Sequence, residues 1–278
     1  MRICLPALLM SCLLVPAAYA ADPGAEEYTE AMAREHAGDA PVPAAASGEK
    51  AGHVAGGPVE YGDFTGYLAR PEGEPRAGLI VIHEWWGLND NIREMARRLA
   101  AEGYLALAVD LYGGQVASEP GQARELMSAA MQTPEQAMAN LAAAFGWLTS
   151  DGGVTNVGSI GWCFGGGMSL RTALMLPTRL DAAVIYYGRL VTDPAELAPL
   201  QMPILGIFGG QDQGIPVESV RAFESALEEL GKDAEIVIYP EADHAFANPS
   251  GRRYDPDAAA DAWRRTLNFL AGNLAATP

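Results

Sequence analysis

The chain has 278 residues, of which 49% are hydrophobic and 19% charged, and this composition excludes fibrous proteins and chains disordered throughout. Its 35 acidic and 18 basic residues give a formal net charge of −17 at pH 7. Nucleic acids and anionic membrane surfaces are bound through clustered Lys and Arg, so neither is an expected partner. The acidity indicates solubility instead.

The first twenty residues have the pattern of a secretory signal peptide. Arg2 precedes an apolar run from Ile3 to Val15, and the segment ends in Ala18-Tyr19-Ala20. This pattern predicts that residues 1–20 are removed and that the protein is exported, to the periplasm or the medium. The run is shorter than the roughly 20 apolar residues of a membrane span. An uncleaved anchor and lipid attachment at Cys12 are the two alternatives.

Cysteine usage singles out one thiol. Cys4 and Cys12 leave with the predicted signal, so the mature protein keeps only Cys163. One thiol cannot form an intramolecular disulfide framework. A lone cysteine is ordinarily a buried apolar filler, and only its sequence context can favour a reactive role.

Composition divides the mature chain into two parts. Residues 21–57 are rich in Ala, Gly, Pro and Glu without a sustained apolar period, which predicts a partly disordered linker with at most a short helix over Glu26–His36. His36 and His53 lie there without a partner at metal-ligand spacing, so both are predicted to be solvated. Residues 58–278 are predicted to form the catalytic domain.

Apolar and amphipathic segments alternate along this second part. Gly78–His83 is a continuous apolar run, as expected of a buried central strand, and Phe64–Ala69 resembles an edge strand. The sequence therefore predicts a single α/β domain with a mostly parallel central sheet and helices on both faces. Further predicted strands are Tyr104–Val109, Val157–Gly161, Ala182–Tyr187, Pro203–Phe208 and Ala234–Tyr239; predicted helices are Asn91–Glu102, Pro120–Met131, Pro134–Leu148, Phe164–Met175, Val217–Leu230 and Pro256–Leu274.

The segment Gly161-Trp162-Cys163-Phe164-Gly165 lies between a predicted strand and a predicted helix. It is a G-x-nucleophile-x-G turn with Cys in the place of Ser. Such a turn strains the nucleophile, and the two glycines let the backbones pass. The helix N-terminus favours a thiolate at Cys163, and the backbone N–H of Phe164 is predicted to stabilise an oxyanion. A phosphate loop is disfavoured because the G-x-G-x-x-G spacing and the Walker lysine are absent.

An acid and then a histidine should follow the nucleophile in the chain. Asp212 follows the strand that ends at Phe208, and His244 follows the strand that ends at Tyr239. Both positions are at the carboxyl ends of strands, where open α/β sheets place their sites. His244 is predicted to take the thiol proton, and Asp212 to fix its tautomer. Asp243 is the competing acid, but adjacent side chains on an extended loop diverge.

With these motifs the chain resembles the dienelactone hydrolase family, the carboxymethylenebutenolidases, from about Val59 to Leu270. The resemblance implies an α/β-hydrolase fold, the triad named above, and hydrolysis of a small-molecule ester or lactone without a metal or organic cofactor. It also implies that the backbone N–H groups of Phe164 and Trp85 form the oxyanion hole. The segments that carry it are His83-Glu84-Trp85-Trp86-Gly87-Leu88-Asn89, Asp110-Leu111-Tyr112, Gly161-Trp162-Cys163-Phe164-Gly165-Gly166, Gly209-Gly210-Gln211-Asp212 and His244-Ala245-Phe246.

The resemblance gives Glu84 a role in handling the proton of Cys163. Independently, a carboxylate directly after a buried apolar strand is costly unless it is paired. The alternative is a structural ion pair with an arginine such as Arg93 or Arg171. His83 is predicted to be structural, because no acid follows it in the required order.

The substrate pocket is the least determined part of the prediction. Four aromatic residues near the motifs either line an apolar cleft or belong to the core: Trp85, Trp86, Trp162 and Phe246.

The chain departs from the family at the residues that hold a substrate carboxylate. Family members carry a Ser and an Arg just after the catalytic His, whereas this chain has Ala245 and Asn248. Arg252 and Arg253 are near but shifted, and Arg124 is the nearest match to the family's other carboxylate-binding arginine. Hydrolase chemistry is therefore expected to carry over, whereas activity on dienelactone itself is not.

Three functions are compatible with these residues. The first is hydrolysis of activated esters or lactones through a thioester acyl-enzyme; a thiolate leaves before a poorly activated amine does, so peptidase activity is disfavoured. The second is a non-catalytic binding module, against which the complete triad argues. The third is a redox role for Cys163, against which the lack of a resolving cysteine counts. No feature of the sequence specifies an oligomeric state.

Overall fold

The computed structural model describes residues 24–40 and 54–274. The predicted signal peptide, the two cysteines within it and His53 lie outside the described residues, so export stays a prediction. Among the described residues no helix combines the length and apolarity needed to cross a bilayer.

Eight strands form one sheet in the order β1-β2-β4-β3-β5-β6-β7-β8. The β1–β2 and β2–β4 pairs are antiparallel and all other pairs are parallel, so the predicted α/β fold class is confirmed. The central strands are buried throughout, as their continuous apolar runs predict. The strands are β1 (Gly56–Tyr61), β2 (Phe64–Ala69), β3 (Ala77–Ile82), β4 (Tyr104–Val109), β5 (Val157–Trp162), β6 (Ala182–Tyr186), β7 (Ile204–Gly209) and β8 (Ala234–Tyr239).

One strand assignment from the sequence is wrong. β2 was expected at the edge of the sheet, but β1 pairs with its outer side, with Val59 opposite Gly66. β1 begins with Gly56-Gly57-Pro58. Gly and Pro are disfavoured inside a sheet, so the sequence pattern does not indicate a strand here. They are tolerated here because β1 is itself the edge strand.

Eight helices complete the described residues: α1 (Ala25–Glu35), α2 (Asp90–Ala101), α3 (Pro120–Gln132), α4 (Pro134–Ser150), α5 (Phe164–Met175), α6 (Pro194–Leu197), α7 (Val217–Glu229) and α8 (Pro256–Asn273). Local signals explain several of the helix starts. Asn89 caps α2 by accepting a hydrogen bond from the N–H of Ile92 at 3.1 Å, and Asp255 caps α8 in the same way. Pro opens α3, α4 and α8, where its missing N–H has no intrahelical role.

The parallel strands bring four chemically important residues to one edge of the sheet. Glu84 follows β3, Cys163 follows β5, Asp212 follows β7 and His244 follows β8. Because these strands are parallel, their carboxyl ends meet, as expected for the site of an open α/β sheet.

The helix expected over Glu26–His36 is present as α1 and lies across this edge. It packs against α3, where Arg124 forms an ion pair with Glu30 at 2.8 Å. The buried side chains of α1 are Tyr28, Thr29 and Met32.

Candidate active site

The turn that carries Cys163 is strained. Cys163 has φ 54° and ψ −119°, a left-handed conformation that side chains other than glycine rarely adopt. A Cβ atom on Gly161 would lie 2.1 Å from the carbonyl oxygen of Gly165, and one on Gly165 would lie 2.3 Å from that of Ile82. The close passage of strand and helix therefore requires both glycines, as the motif predicts.

His244 is held by Asp212. Its Nδ1 lies 2.7 Å from Asp212 Oδ2, and both side chains are fully buried. The other carboxylate oxygen of Asp212 accepts hydrogen bonds from the N–H groups of Gly214 and Ile215, at 2.9 and 2.8 Å. Asp243 instead accepts from the backbone N–H of His244 at 2.7 Å. The acid beside the imidazole is therefore Asp212 and not its sequence neighbour Asp243.

The His244 ring presents its second nitrogen to the thiol. Because Nδ1–H donates to the Asp212 carboxylate, Nε2 carries the lone pair whenever the ring is neutral. Among the described residues, His244 Nε2 has no hydrogen-bond partner. Cys163 Sγ and a ring nitrogen of His244 lie within 4.8 Å of each other, and both residues have zero exposure. The arrangement places a base beside a nucleophile in a fully buried site.

Electrostatics at this pair favour the charged forms. Burial alone would raise the pKa of the Cys163 thiol, but the imidazoles of His244 and His36 lower it to about 6. Burial would lower the pKa of His244, yet the Asp212 carboxylate and the Cys163 thiolate raise it well above its usual value. A thiolate beside an imidazolium is the reactive state of a cysteine nucleophile.

We expect the alkylation of Cys163 to report this pKa. The thiolate reacts and the thiol does not, so the rate should be constant above the Cys163 pKa and fall as pH drops through about 6. A free cysteine would show its midpoint at about 8.5. The measurement is the rate of iodoacetamide labelling of the Cys163 peptide by mass spectrometry. In His244→Ala the midpoint should move upward, and a midpoint near 8.5 in the unaltered protein would contradict the ion pair.

Glu84 lies beside the same thiol and is only 3% exposed. Burial raises its pKa, and the Cys163 thiolate raises it further, to about 7, against the opposing effect of the two histidines and Asn248. The side-chain amide of Asn248 donates to Glu84 Oε2, while Oε1 has no hydrogen-bond partner among the described residues. Glu84 is thus a carboxyl group that can hold or release a proton near neutral pH.

The ion pair considered as the alternative for Glu84 is wrong. Arg93 pairs with Asp90 at 2.8 Å, and Arg171 lies 3.9 Å from Glu196. The partner of Glu84 is the neutral amide of Asn248, and its effect together with that of the two histidines is smaller than the rise in carboxyl pKa that burial and the Cys163 thiolate cause.

His83 is structural, as predicted. Its Nδ1 lies 2.6 Å from the carbonyl oxygen of Glu84, and its Nε2 accepts a hydrogen bond from the N–H of Leu111 at 3.2 Å. Nδ1 is therefore the donor nitrogen. Burial lowers the pKa of His83, which keeps the ring neutral.

The predicted oxyanion donors have suitable places in the fold. Phe164 is the first residue of α5, so its N–H belongs to the helix start that lacks intrahelical acceptors. Trp85 follows Glu84 at the end of β3, which pairs with β5 in the sheet. The Trp85 side chain is fully buried and stacks on the His36 ring at a centroid distance of 4.2 Å.

The four aromatic candidates for the pocket separate into two groups. Trp86 lines a small cavity with His36 and Asn248, next to Trp85. Phe246 is fully buried against Tyr187 and Tyr239, so it belongs to the core. Trp162 packs on Tyr186 and lines a separate cavity of about 280 Å³ together with residues of α2 and α8. Trp162 and Phe246 are therefore wrong as pocket residues; for Trp162 the reason is that successive strand side chains alternate between the faces.

The arginines considered as carboxylate ligands are engaged elsewhere. The Arg124 side chain is 51% exposed and pairs with Glu30 of α1, so the interpretation of Arg124 as a pocket residue is wrong. Arg252 and Arg253 both pair with Asp39, each at 2.9 Å, and Arg253 also donates to the carbonyl oxygen of Glu35. All three anchor the N-terminal segment.

The prediction that His36 is solvated is wrong. His36 is 3% exposed, its Nδ1 lies 2.8 Å from Asp39 Oδ2, and its Nε2 lies 3.9 Å from Cys163 Sγ. Met32 approaches the same sulfur at 3.9 Å. A signal was available, because Tyr28, Met32 and His36 recur every four residues and so share one helix face. Residues 24–40 therefore close the site over Cys163.

Tyr187 is a further site residue that sequence reasoning missed. Its ring meets His244 edge-on at a centroid distance of 5.2 Å, and its backbone has φ 34°. Burial and the nearby Glu84 charge raise its pKa, so the phenol stays neutral. No local motif marks this position, which follows β6 directly.

Comparisons with known proteins agree with this geometry. A model of the dienelactone hydrolase family matches residues 64–274. A protein of Saccharolobus solfataricus, provisionally named carboxymethylenebutenolidase, is 35% identical over 241 residues, covering 73% of this chain and 92% of the relative. One from Escherichia coli with the same name is 35% identical over 230 residues, covering 77% and 84%.

Solved structures give the same result. A provisionally named dienelactone hydrolase from Klebsiella pneumoniae has a TM-score of 0.70 and 31% identity, covering 78% of this chain and 98% of its own. A dienelactone hydrolase-like promiscuous phosphotriesterase from metagenomic libraries has a TM-score of 0.71 and 26% identity, covering 79% and 98%. Helix α1 lies outside the matched range 64–274.

Proposed function

The chain belongs to the dienelactone hydrolase family, and we propose that it hydrolyses activated esters or lactones through a triad of Cys163, His244 and Asp212. The family and the names of its relatives make it an ester or lactone hydrolase acting on small molecules. The observation that supports the triad best is the 2.7 Å contact of His244 with Asp212, beside a cysteine on a strained strand-to-helix turn.

In this proposal the Cys163 thiolate attacks the carbonyl carbon of the substrate. The carbonyl oxygen becomes an oxyanion that accepts hydrogen bonds from the backbone N–H groups of Phe164 and Trp85. The C–O bond to the leaving group then breaks, and the imidazolium of His244 donates its Nε2 proton to the leaving oxygen. The product of this half-reaction is a thioester on Cys163.

Hydrolysis of the thioester returns the enzyme to its first state. Neutral His244 takes a proton from water, which attacks the thioester carbonyl, and the C–S bond breaks to release the acid and the thiolate. Asp212 keeps Nε2 as the reacting nitrogen and stabilises the imidazolium.

Glu84 has the properties of a proton store for the thiol. Its pKa of about 7 makes it protonated in part at neutral pH, next to a thiol whose pKa is about 6. We assign Glu84 the exchange of a proton with the Cys163 thiol in the resting enzyme, with Asn248 holding Oε2, whereas His244 carries the proton that the leaving group takes.

Substrate choice tests the proposal. A bidentate arginine on a buried carboxylate is typically worth ~2–5 kcal/mol, and Asn248 cannot supply that contact. Loss of it should cost a carboxylated lactone roughly 30-fold or more in kcat/KM, at tenfold per 1.36 kcal/mol. We therefore expect small neutral aryl esters to be turned over better than cis- or trans-dienelactone.

The measurement is kcat/KM for both substrate classes on one preparation. Because Asn248 is bonded to Glu84 and both Arg252 and Arg253 pair with Asp39, a clear preference for the carboxylated lactone would show that one of these arginines turns to substrate. Absence of turnover with either class would contradict the proposed hydrolase.

We further propose export. The first twenty residues predict cleavage after Ala20, so the exported protein should begin at Ala21. The intact mass of protein from the periplasm or the medium checks this. A mass that retains residues 1–20, or a lipid adduct at Cys12, would contradict it.

A further inference from the structure

We propose that Cys163, His244 and His36 form a binding site for Zn²⁺, and that zinc bound there switches the hydrolase off. The three residues come from two parts of the chain. The turn before α5 and the loop after β8 supply Cys163 and His244, and the residues that follow α1 supply His36. This inference goes beyond the proposed function, because zinc binding does not require that the protein hydrolyse any ester.

The geometry of the donors suits a four-coordinate cation. One donor atom from each of the three residues lies within 4.8 Å of the other two, and Cys163 Sγ is 3.9 Å from His36 Nε2. Zinc bonds of about 2.3 Å to sulfur and 2.0–2.1 Å to nitrogen put tetrahedral donors roughly 3.3–3.6 Å apart. Each donor atom would have to move toward the others by about an ångström or less to bind zinc, and water would take the fourth position.

Each histidine has a carboxylate beside its Nδ1. His244 Nδ1 lies 2.7 Å from Asp212 Oδ2. His36 Nδ1 lies 2.8 Å from Asp39 Oδ2 and 3.0 Å from the guanidinium of Arg253, so zinc at Nε2 selects the tautomer in which Nδ1–H donates to Asp39. When Nδ1–H donates to a carboxylate, the lone pair is left on Nε2, and this carboxylate–histidine arrangement is the usual second shell of zinc sites. Two carboxylate–histidine pairs, Asp212–His244 and Asp39–His36, therefore lie beside the sulfur of Cys163. Only the Asp212–His244 pair has a role in the triad.

The chemistry of the donors selects the cation. One thiolate and two imidazoles form a soft and borderline set, which favours zinc over oxygen-seeking cations such as Mg²⁺ and Ca²⁺. Bound zinc would occupy both the nucleophilic sulfur and the basic nitrogen, so hydrolysis stops. It would also tie residue 36 to the sheet and hold α1 closed over the site.

The first experiment measures binding without substrate. Zinc is titrated by calorimetry into metal-free full-length protein, and Co²⁺ is used in parallel because a thiolate ligand gives it a charge-transfer absorption band. We expect one Zn²⁺ per chain and a cobalt–thiolate band that Cys163→Ala removes. His36→Ala should weaken zinc binding tenfold or more, and Asp39→Asn by a similar factor, since second-shell losses cost 10–100-fold.

The matched control is His53→Ala, which removes a histidine from the same N-terminal stretch of sequence as His36. The zinc affinity of this variant should equal that of the unaltered protein. Equal affinity in His36→Ala, Asp39→Asn and the unaltered protein would overturn the proposal, as would the absence of stoichiometric binding. A protein that binds zinc as described but hydrolyses no ester would refute the proposed function and leave this site intact. Where ester hydrolysis is present, zinc should inhibit it, a chelator should restore it, and Mg²⁺ should have no effect.

Discussion

Replacement of Cys163 by Ala is expected to lower kcat/KM for a neutral aryl ester by roughly 10³-fold or more, because no other group forms the acyl-enzyme. The oxyanion donors and the binding cleft remain and supply only the residual rate. His244→Ala should cost about as much, since nucleophile and base act as one unit. The measurement is steady-state hydrolysis, with thermal unfolding recorded on each variant.

Cys163→Ser is the informative companion variant. It keeps a side chain of the same shape, though slightly smaller, at the turn, but a hydroxyl is far harder to deprotonate than a thiol whose pKa is about 6. We expect it to remain well below the unaltered enzyme. Full turnover by the Cys163→Ala protein would end the assignment of the nucleophile.

Asp212→Asn is expected to lower kcat/KM by roughly 10²–10³-fold. An amide that presents its N–H₂ to His244 Nδ1 favours the tautomer with the proton on Nε2, which cannot accept the thiol proton. The amide also removes the charge that raises the pKa of His244, so the thiolate–imidazolium pair loses its support. The expected loss is smaller than for Cys163→Ala because the nucleophile itself remains.

Asp243→Asn is the matched control for this substitution. Within the part of the chain that the structure describes, the Asp243 carboxylate contacts the triad through the hydrogen bond that it accepts from the backbone N–H of His244, and an amide oxygen can replace it. Activity should stay within a few-fold of the unaltered enzyme. A large loss in Asp243→Asn together with full activity in Asp212→Asn would reverse the assignment of the acid.

The triad could be predicted because each member carries a local signature. Buried parallel strands are continuous apolar runs, and the residue after each run lies at the carboxyl edge of the sheet. The turn at Cys163 adds a steric rule, since only glycine fits where a Cβ would meet a carbonyl oxygen at 2.1–2.3 Å. These constraints act over a few residues, so the sequence displays them directly.

The surroundings of the triad could not be predicted in the same way. The spacing of Tyr28, Met32 and His36 indicates one helix face but not the surface that this face covers. The docking of α1 on the sheet edge depends on contacts such as Arg253 with Asp39, more than 200 positions apart. Trp162 was misplaced because motif adjacency does not fix the face of a strand to which a side chain points.

The closed position of α1 affects every substrate alike. Cys163 and His244 have zero exposure beneath Met32 and His36, so an ester reaches them only in molecules in which this segment has moved aside. The apparent dissociation constant is then the intrinsic constant divided by the fraction of molecules in the open state. Two esters compared on the same enzyme share that fraction, so their ratio of kcat/KM reports the pocket alone, whereas absolute turnover also reports how firmly Arg252 and Arg253 hold Asp39.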